Sequence, residues 1–336
     1  MKTKHIAPTA LSQAAEILKK GGLCAIPTET VYGLAADALN PQAVADIFTA
    51  KGRPQDNPLI VHICDIEMLR GLVTDIPETA EKLAAAFWPG PLTLILPKSE
   101  KVPDVVSAGL STVAVRMPSN EIAREVIRLC DRPLAAPSAN TSGLPSPTTA
   151  EAVAADMDSK IDAIVMGGAC TVGVESTVLS LVTEPPRILR PGGVTAEMLR
   201  GVIGEVAIDK AVFAGVKPDA AVASPGMKYK HYAPKARLIM VESDAEAYRD
   251  FVNRQAESGA FALCFDEDLP HLKIPAVPYG KRSDPATQAH GLFAALRRLD
   301  TDGCKLCYAA APEKDGLSMA VYNRLIRACA FEVICL

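Results

Sequence analysis

Apolar and polar positions repeat with two different periods along this chain. Leu11, Ala14, Ala15, Ile17 and Leu18 share one face of a helical repeat, and Gly21-Gly22 ends it. The apolar run over residues 23–27 predicts a strand, followed by the polar cluster Thr28-Glu29-Thr30. A second helix is predicted over residues 41–50, with Pro41 in its first turn, where a missing N–H costs little. Short apolar runs at 59–63, 92–96, 112–115, 161–166, 176–181 and 186–189 predict further strands. Helical patterns at 78–87, 119–129 and 149–156 lie between them. The mixture predicts an α/β fold, too irregular for a clean doubly wound sheet.

The pattern changes after residue 208. Residues 211–224 are rich in Ala, Val, Gly and Pro without a stable period. Ser224-Pro225-Gly226-Met227-Lys228-Tyr229-Lys230-His231-Tyr232-Ala233-Pro234 follows, where two tyrosines, two lysines and a histidine crowd together. Spacers are usually Gly/Ser-rich or charged, so this stretch reads as a segment that docks on a site, with a plain linker as the alternative. From Ala236, strands are predicted at 238–241, 261–265 and 305–309, and helices at 244–255, 287–299 and 319–330. That is a smaller βαβ-like unit with a mostly parallel sheet. The expected organisation is a first domain over 1–208, an interdomain segment over 209–235 and a second domain over 236–336.

Composition sharpens this picture. The 336 residues suit about two domains at roughly 150 residues each. With 49% hydrophobic but only 5% aromatic residues, the cores must be aliphatic. A net charge of -4 gives no global pull on nucleic acid or anionic membrane. No apolar run reaches the roughly 20 residues that span a bilayer. Ser12, Gln13 and Glu16 interrupt any apolar core of a signal peptide, so a cytoplasmic location is expected. Nine cysteines, several in strand-like runs, read as small buried hydrophobes in a reducing compartment. Cys304-x-x-Cys307 has no second pair and reads as structural, with no metal site expected.

Neither phosphate-loop nor dinucleotide glycine signatures occur, so any bound phosphate must be held by side chains and isolated amides. Lys51-Gly52-Arg53-Pro54 places two cations in a stiffened turn, expected to be exposed, with Asn57-Pro58-Leu59 and His62 beyond it. Pro137-Ser138-Ala139-Asn140-Thr141-Ser142-Gly143 supplies small hydroxyl and amide groups that can hold ribose, phosphate or an amino-acid backbone, or equally cap a turn. Gly173-Val174-Glu175-Ser176-Thr177-Val178 opens a strand. Arg187-Ile188-Leu189-Arg190-Pro191-Gly192-Gly193 ends one on an arginine able to clamp phosphate.

These stretches, with Pro27-Thr28-Glu29-Thr30-Val31-Tyr32-Gly33-Leu34 and Trp88-Pro89-Gly90-Pro91-Leu92-Thr93, resemble the L-threonylcarbamoyladenylate synthase (Sua5/YrdC) family. The resemblance spans essentially the whole chain and is to the long, two-domain Sua5 form. It implies an open, twisted mixed sheet around a large positively charged cavity, followed by a smaller Rossmann-like domain. It also implies condensation of L-threonine, bicarbonate (or CO2) and ATP, with nucleotide-held Mg2+, to threonylcarbamoyladenylate and pyrophosphate. A separate transfer complex would then pass the group to adenosine 37 of tRNAs reading codons that start with A. The family likeness extends to double-stranded-RNA-binding proteins, so tRNA binding is a further expectation.

Residue by residue, the resemblance puts Thr30, His62 and Ser176 near threonine, and Lys51 and Arg53 at the reacting phosphates. Asn57, Arg116, Ser138, Asn140, Arg190 and Tyr232 join Lys51 and Arg53 as nucleotide contacts. Tyr229, Lys230 and Tyr232 belong to a segment over the cavity mouth, where closure would keep water from hydrolysable intermediates. One departure is Ser318, where the family pattern has a second glycine. An RNA-binding protein without turnover is the reading from another class, and the net charge and lack of basic-aromatic repeats weigh against it. Carbamoyl transfer as in hydrogenase maturation proteins needs zinc-finger and acylphosphatase regions for which this chain has no room.

Overall fold

The computed structural model describes residues 2–214 and 232–336. The first sheet contains β1 (Lys4–Ile6), β2 (Cys24–Ile26), β3 (Gly33–Asp37), β4 (Ile60–His62), β5 (Leu92–Pro97) and β6 (Thr112–Arg116). It continues with β7 (Leu134–Ala135), β8 (Ala163–Val165), β9 (Thr177–Ser180), β10 (Arg187–Arg190) and β11 (Ala207–Ile208). Their spatial order is β1-β8-β2-β3-β7-β4-β6-β5-β9-β10-β11. Parallel and antiparallel pairs are mixed: β4 runs parallel to β6, β6 antiparallel to β5, β5 parallel to β9, and β9 antiparallel to β10. This is the open mixed sheet expected from the sequence, not a doubly wound one.

Apolar clusters cover both faces of that sheet. On one side the helices Leu11–Lys19 and Glu121–Cys130 pack together through Ala14, Ala15, Leu18, Ala123, Val126 and Ile127. On the other, the helix Pro41–Lys51 buries Ala43, Val44, Ile47 and Phe48. Its start follows from local chemistry: the Asn40 side chain accepts from the amides of Gln42 and Ala43, and Pro41 needs no partner there. Gly52, at φ +61°, ends the helix in a left-handed turn that costs glycine little. Lys51 is therefore the last helical residue.

Several elements had no sequence prediction. β3 is Gly-Leu-Ala-Ala-Asp, a composition with little strand preference, and it forms because it pairs with β2 and β7. β1 is likewise defined by its partner β8. The unpredicted helices Ile66–Leu72 and Ala196–Ile203 are capped by Asp65 and Thr195.

The second sheet is wholly parallel: β12 (Arg237–Glu242), β13 (Phe261–Cys264), β14 (Ala276–Pro278), β15 (Leu306–Ala310) and β16 (Val333–Cys335), in the order β14-β13-β15-β12-β16. The long helices Pro285–Thr301 and Ser318–Ala328 pack on it and against each other. Ser318 opens the second of these, and the positive φ falls on Gly316 instead, so the serine costs no strain. Cys304 and Cys307 are buried free thiols. No helix among the described residues is long and apolar enough to cross a membrane.

The two sheets share an interior. Val31 and Val174 of the first unit pack within the apolar core of the second. Arg297 donates to both carboxylate oxygens of Asp156, at 3.0 and 2.9 Å, and to the Pro145 carbonyl at 2.5 Å. Of the segment 224–234, only Tyr232, Ala233 and Pro234 lie within the described residues. The Tyr232 ring meets Phe293 of the second unit at 5.3 Å between centroids, and the Ala233 amide donates to the Gly143 carbonyl at 2.9 Å.

Gly173 marks a close approach of the two backbones. A Cβ there would sit 2.5 Å from both the Ala289 oxygen and the His290 Cα, at φ +87°. Gly109 has a similar φ of +77° but open space around it. Gly173→Ala is therefore expected to lower the melting temperature at least about 2 °C more than Gly109→Ala, in a broadened or split calorimetric transition. Equal losses would mean that backbone strain alone matters at Gly173.

Candidate active site

Adjacent strands of the first sheet end together at one cavity, whose empty space with its open mouth is about 720 Å³. Thr28 and Thr30 follow β2, His62 closes β4, Arg116 closes β6, Ser176 precedes β9 and Arg190 closes β10. Lys51 and Arg53 arrive from the end of their helix. Ser138 and Asn140 come from the loop after β7, and Tyr232 from beside the second unit.

The threonine hydroxyls are held in place by local turns. Thr28 Oγ1 donates to the Val31 carbonyl at 2.6 Å and accepts from the amides of Thr30 and Val31. Thr28 Oγ1 and Thr30 Oγ1 are 2.8 Å apart. Arg116 Nη1 donates to Thr30 Oγ1 at 2.9 Å, while Arg116 Nη2 lies 2.7 Å from Glu29 Oε1. Both members of that ion pair are buried. Burial alone would raise the Glu29 carboxyl, but the Arg116 charge and its hydrogen bond outweigh it and hold the group below the usual carboxylate range.

His62 sits directly across from Arg116 in the sheet register. Burial, reinforced by the Arg116 charge, brings its imidazole down to about 3, so it is neutral at neutral pH. Its Nδ1 has no hydrogen-bond partner in the protein. Nearby, Ser176 Oγ is 2.8 Å from Thr93 Oγ1 and accepts from Arg190 Nη2 at 3.0 Å. Arg190 Nε also donates to the Ser176 carbonyl at 3.0 Å. Burial draws the Arg190 guanidinium down to about 10. Gly192 permits this packing, because a Cβ there would come within 2.5 Å of the backbone at Glu175 and Thr177.

Lys51 overturns the expectation of an exposed cationic turn. It is only 2% exposed. Its ammonium donates to the Ser138 carbonyl and, at 2.6 Å, to the Asn140 carbonyl. The Lys51 carbonyl in turn accepts from the Ser142 amide at 2.9 Å. Burial and the neighbouring Arg53 pull the ammonium well below the ordinary lysine range. Lys51 thus fastens the loop after β7 to the helix, and its removal would disturb folding as well as charge. Arg53 lines the cavity and donates to the carbonyls of Asn57 and Pro58, both at 3.3 Å.

Of the candidate site residues that lie among the described residues, Thr30, Lys51, Arg53, His62, Arg116, Ser138, Asn140, Ser176, Arg190 and Tyr232 line this cavity and Asn57 does not, while Tyr229 and Lys230 lie outside the described residues. Asn57 is buried behind Arg53, and neither side-chain amide atom has a protein partner. The Asn140 amide nitrogen donates to the carbonyls of Thr141 and Leu144, both at 2.9 Å, leaving its oxygen unpaired.

Known proteins point the same way. A family profile described as Sua5_yciO_yrdC, telomere recombination, matches residues 16–192. One described as the C-terminal domain of threonylcarbamoyl-AMP synthase matches residues 194–330. A curated threonylcarbamoyl-AMP synthase from Pyrococcus abyssi is 49% identical over 332 residues, covering 96% of this chain and 94% of the relative. The chain belongs to the threonylcarbamoyl-AMP synthase family. Relatives of the same name from Bacillus subtilis and Schizosaccharomyces pombe are 45% and 38% identical, each over 96% of the chain. Among solved structures, Pyrococcus abyssi Sua5 complexed with L-threonine matches with a TM-score of 0.91 at 44% identity, covering 100% of both chains. A double alanine variant of that protein matches with a TM-score of 0.94 at 43% identity, covering 99% of this chain and 98% of its own.

Three groups around this synthase-family cavity escaped sequence reading as site residues. Glu29 and Glu175 stand inside motifs already singled out, but nothing local shows that arginines are folded onto them. Thr93 also ends a motif already singled out, but its place beside the site follows from its register with Arg116 and Val178 across β5.

The neutral state of His62 has a measurable consequence. Its folded pKa lies below the ordinary value of 6.5, so the unfolded chain takes up a proton that the folded chain refuses. Stability from this group is complete above about pH 6.5 and drains as pH falls toward about 3. His62→Gln should flatten the decline of melting temperature between pH 6.5 and 4 relative to the parent. Parallel declines would show that His62 is not held neutral by the fold.

Proposed function

We propose that this protein condenses L-threonine, bicarbonate or CO2, and ATP to L-threonylcarbamoyl-AMP and pyrophosphate. The observation that carries this reading is the convergence of Lys51, Arg53, Arg116 and Arg190 with the Thr30 and Ser176 hydroxyls and a neutral imidazole on one cavity. The threonine complex of the Pyrococcus abyssi relative supports an amino-acid substrate. In this reading residues 1–208 are the catalytic domain, 209–235 the interdomain segment, of which 215–231 lie outside the described residues, and 236–336 a Rossmann-like domain docked beside the first. A non-catalytic RNA binder would instead spread its cations over an exposed face.

The chemistry needs no covalent nucleophile. The threonine amine attacks CO2, or bicarbonate with loss of water, and forms the C–N bond of a carbamate while giving up a proton. A carbamate oxygen then attacks the α-phosphorus, a P–O bond forms, and the bond to the β-phosphate breaks with pyrophosphate leaving. Carbamate and triphosphate are both anions, so charge neutralisation and alignment supply most of the rate. Arg116, bonded to Thr30 and facing His62, belongs to the threonine end and is assigned to the carboxylate rather than to the nucleotide. The free Nδ1 of His62 accepts a hydrogen bond from threonine, and Ser176 is a second contact for it. Lys51, Arg53 and Arg190 face the phosphates. Asn57, Ser138, Asn140 and Tyr232 serve the nucleotide.

Among the described residues no acidic or histidine cluster could hold a metal ion, and Glu29 and Glu175 are each committed to an arginine. Mg2+ would arrive on the triphosphate and neutralise part of its charge. The product would be the threonylcarbamoyl donor for adenosine 37 of tRNAs reading ANN codons, passed on by a separate cytoplasmic transfer complex. Any tRNA contact would come through that step.

Pyrophosphate release should require threonine and bicarbonate together, and mass analysis should find the mixed threonylcarbamoyl adenylate. Release at the same rate from ATP alone would refute this function. Arg53→Met should lower turnover by about 10²-fold, since a lost charge contact in an enclosed site has that order of effect. Lys51→Met should lower both turnover and melting temperature, because its ammonium also anchors a loop. Turnover of both variants within threefold of the parent would remove these cations from the phosphate site.

A further inference from the structure

Among the described residues lining the cavity, Glu175 is the single carboxylate. An anion in a cavity built for a triphosphate works against binding unless something cancels it. What cancels it comes from the second unit. Arg324, on the helix Ser318–Ala328, is fully buried, and its Nε donates to Glu175 Oε2 at 2.7 Å. Ser146 Oγ donates to the other carboxylate oxygen at 2.5 Å.

The same guanidinium reaches the backbone on both sides of the site. Its Nη2 donates to the Glu175 carbonyl at 3.2 Å, and its Nη1 donates to the Pro191 carbonyl at 2.9 Å. Nη1 is also bonded to Asn323 Oδ1 at 2.9 Å, which fixes the plane of the fork. Glu175 immediately precedes Ser176, and Pro191 immediately follows Arg190. One side chain therefore ties together the two strand ends that present Ser176 and Arg190 to the cavity.

We propose that Arg324 is a positioning residue for ATP: by neutralising Glu175 and clamping residues 175 and 191, it lets the second unit set the phosphate end of the cavity. This rests on the ATP-dependent function proposed above. Burial by itself raises the Glu175 carboxyl, and the Arg324 and Arg190 charges with the hydrogen bonds from Arg324 and Ser146 more than reverse that. With Arg324 gone, Glu175 either stays charged and repels the triphosphate or takes up a proton as the pH falls.

The test measures ATP binding by calorimetry on the full chain, apart from turnover, alongside steady-state KM values. Arg324→Met should weaken ATP binding at least tenfold at pH 8, a larger fold-change than in the KM for L-threonine, which Ser176 also contacts. The ratio of variant to parent Kd should shrink between pH 8 and pH 6, as Glu175 becomes protonated in the variant only. Adding Glu175→Gln to Arg324→Met should raise ATP affinity at least threefold over Arg324→Met at pH 8, the remaining loss being that of the clamp on residues 175 and 191. Arg324→Lys, which keeps the charge, should fall between parent and Arg324→Met, and it serves if the methionine variant does not fold. A double variant that binds ATP as weakly as Arg324→Met, or a lysine variant that binds as well as the parent at every pH with Arg324→Met unchanged too, would reduce Arg324 to a docking contact. A parent protein that binds no ATP would instead defeat the underlying function.

Discussion

A charge taken out of water must find an opposite charge or give up its proton, and this cavity is organised by that constraint. Arg116 is matched by Glu29, and Glu175 by Arg324. Breaking one side of such a buried pair leaves the other uncompensated at a cost of about 3–5 kcal/mol. Groups without a carboxylate partner respond differently: His62 is held neutral, while burial depresses Lys51 and Arg190. An incoming anion would relieve the cationic groups. A site that is electrostatically incomplete when empty is well suited to an anionic ligand, and its donors are already fixed by neighbouring hydrogen bonds rather than reoriented during binding.

The same constraint explains why the two units do not behave as beads on a string. Arg324 and Arg297 reach from the second unit onto Glu175 and Asp156 of the first. Asp156 also accepts from the Thr141 amide at 3.3 Å, next to Asn140 on the cavity wall. Val31 and Val174 seal the same interface with apolar contact, and Gly173 lets the backbones close on each other. Interfaces within a chain are often loose enough for the units to move. Here one buried and one partly buried ion pair, each arginine also bonded to a backbone carbonyl, favour one arrangement.

Much of this was legible in the sequence where the physics is local. The helix Glu78–Phe87 coincides with its apolar repeat, and the helix Pro41–Lys51 starts at the proline that its capping asparagine announces. The polar motifs pointed to cavity walls only through their resemblance to the family, since each alone reads equally as a cap or a surface turn; several of them lie at strand ends and Lys51-Gly52-Arg53 at a helix end. What was not legible depends on contacts between residues far apart. β3 owes its form to β2 and β7 rather than to its alanines. Lys51 reads as a solvated turn until the loop after β7 is folded over it. Arg324 carries no motif at all, and its partner lies 149 residues earlier in the chain.

If the cavity and the second unit are one electrostatic device, ligands must be felt beyond the walls they touch. Hydrogen–deuterium exchange of the helix Ser318–Ala328 with and without ATP plus L-threonine tests this directly. The account predicts that ligands slow exchange in this helix together with residues 175–177 and 190–192, although among the described residues none of the helix lines the cavity. Slowing confined to the first unit, with the helix unchanged, would contradict it.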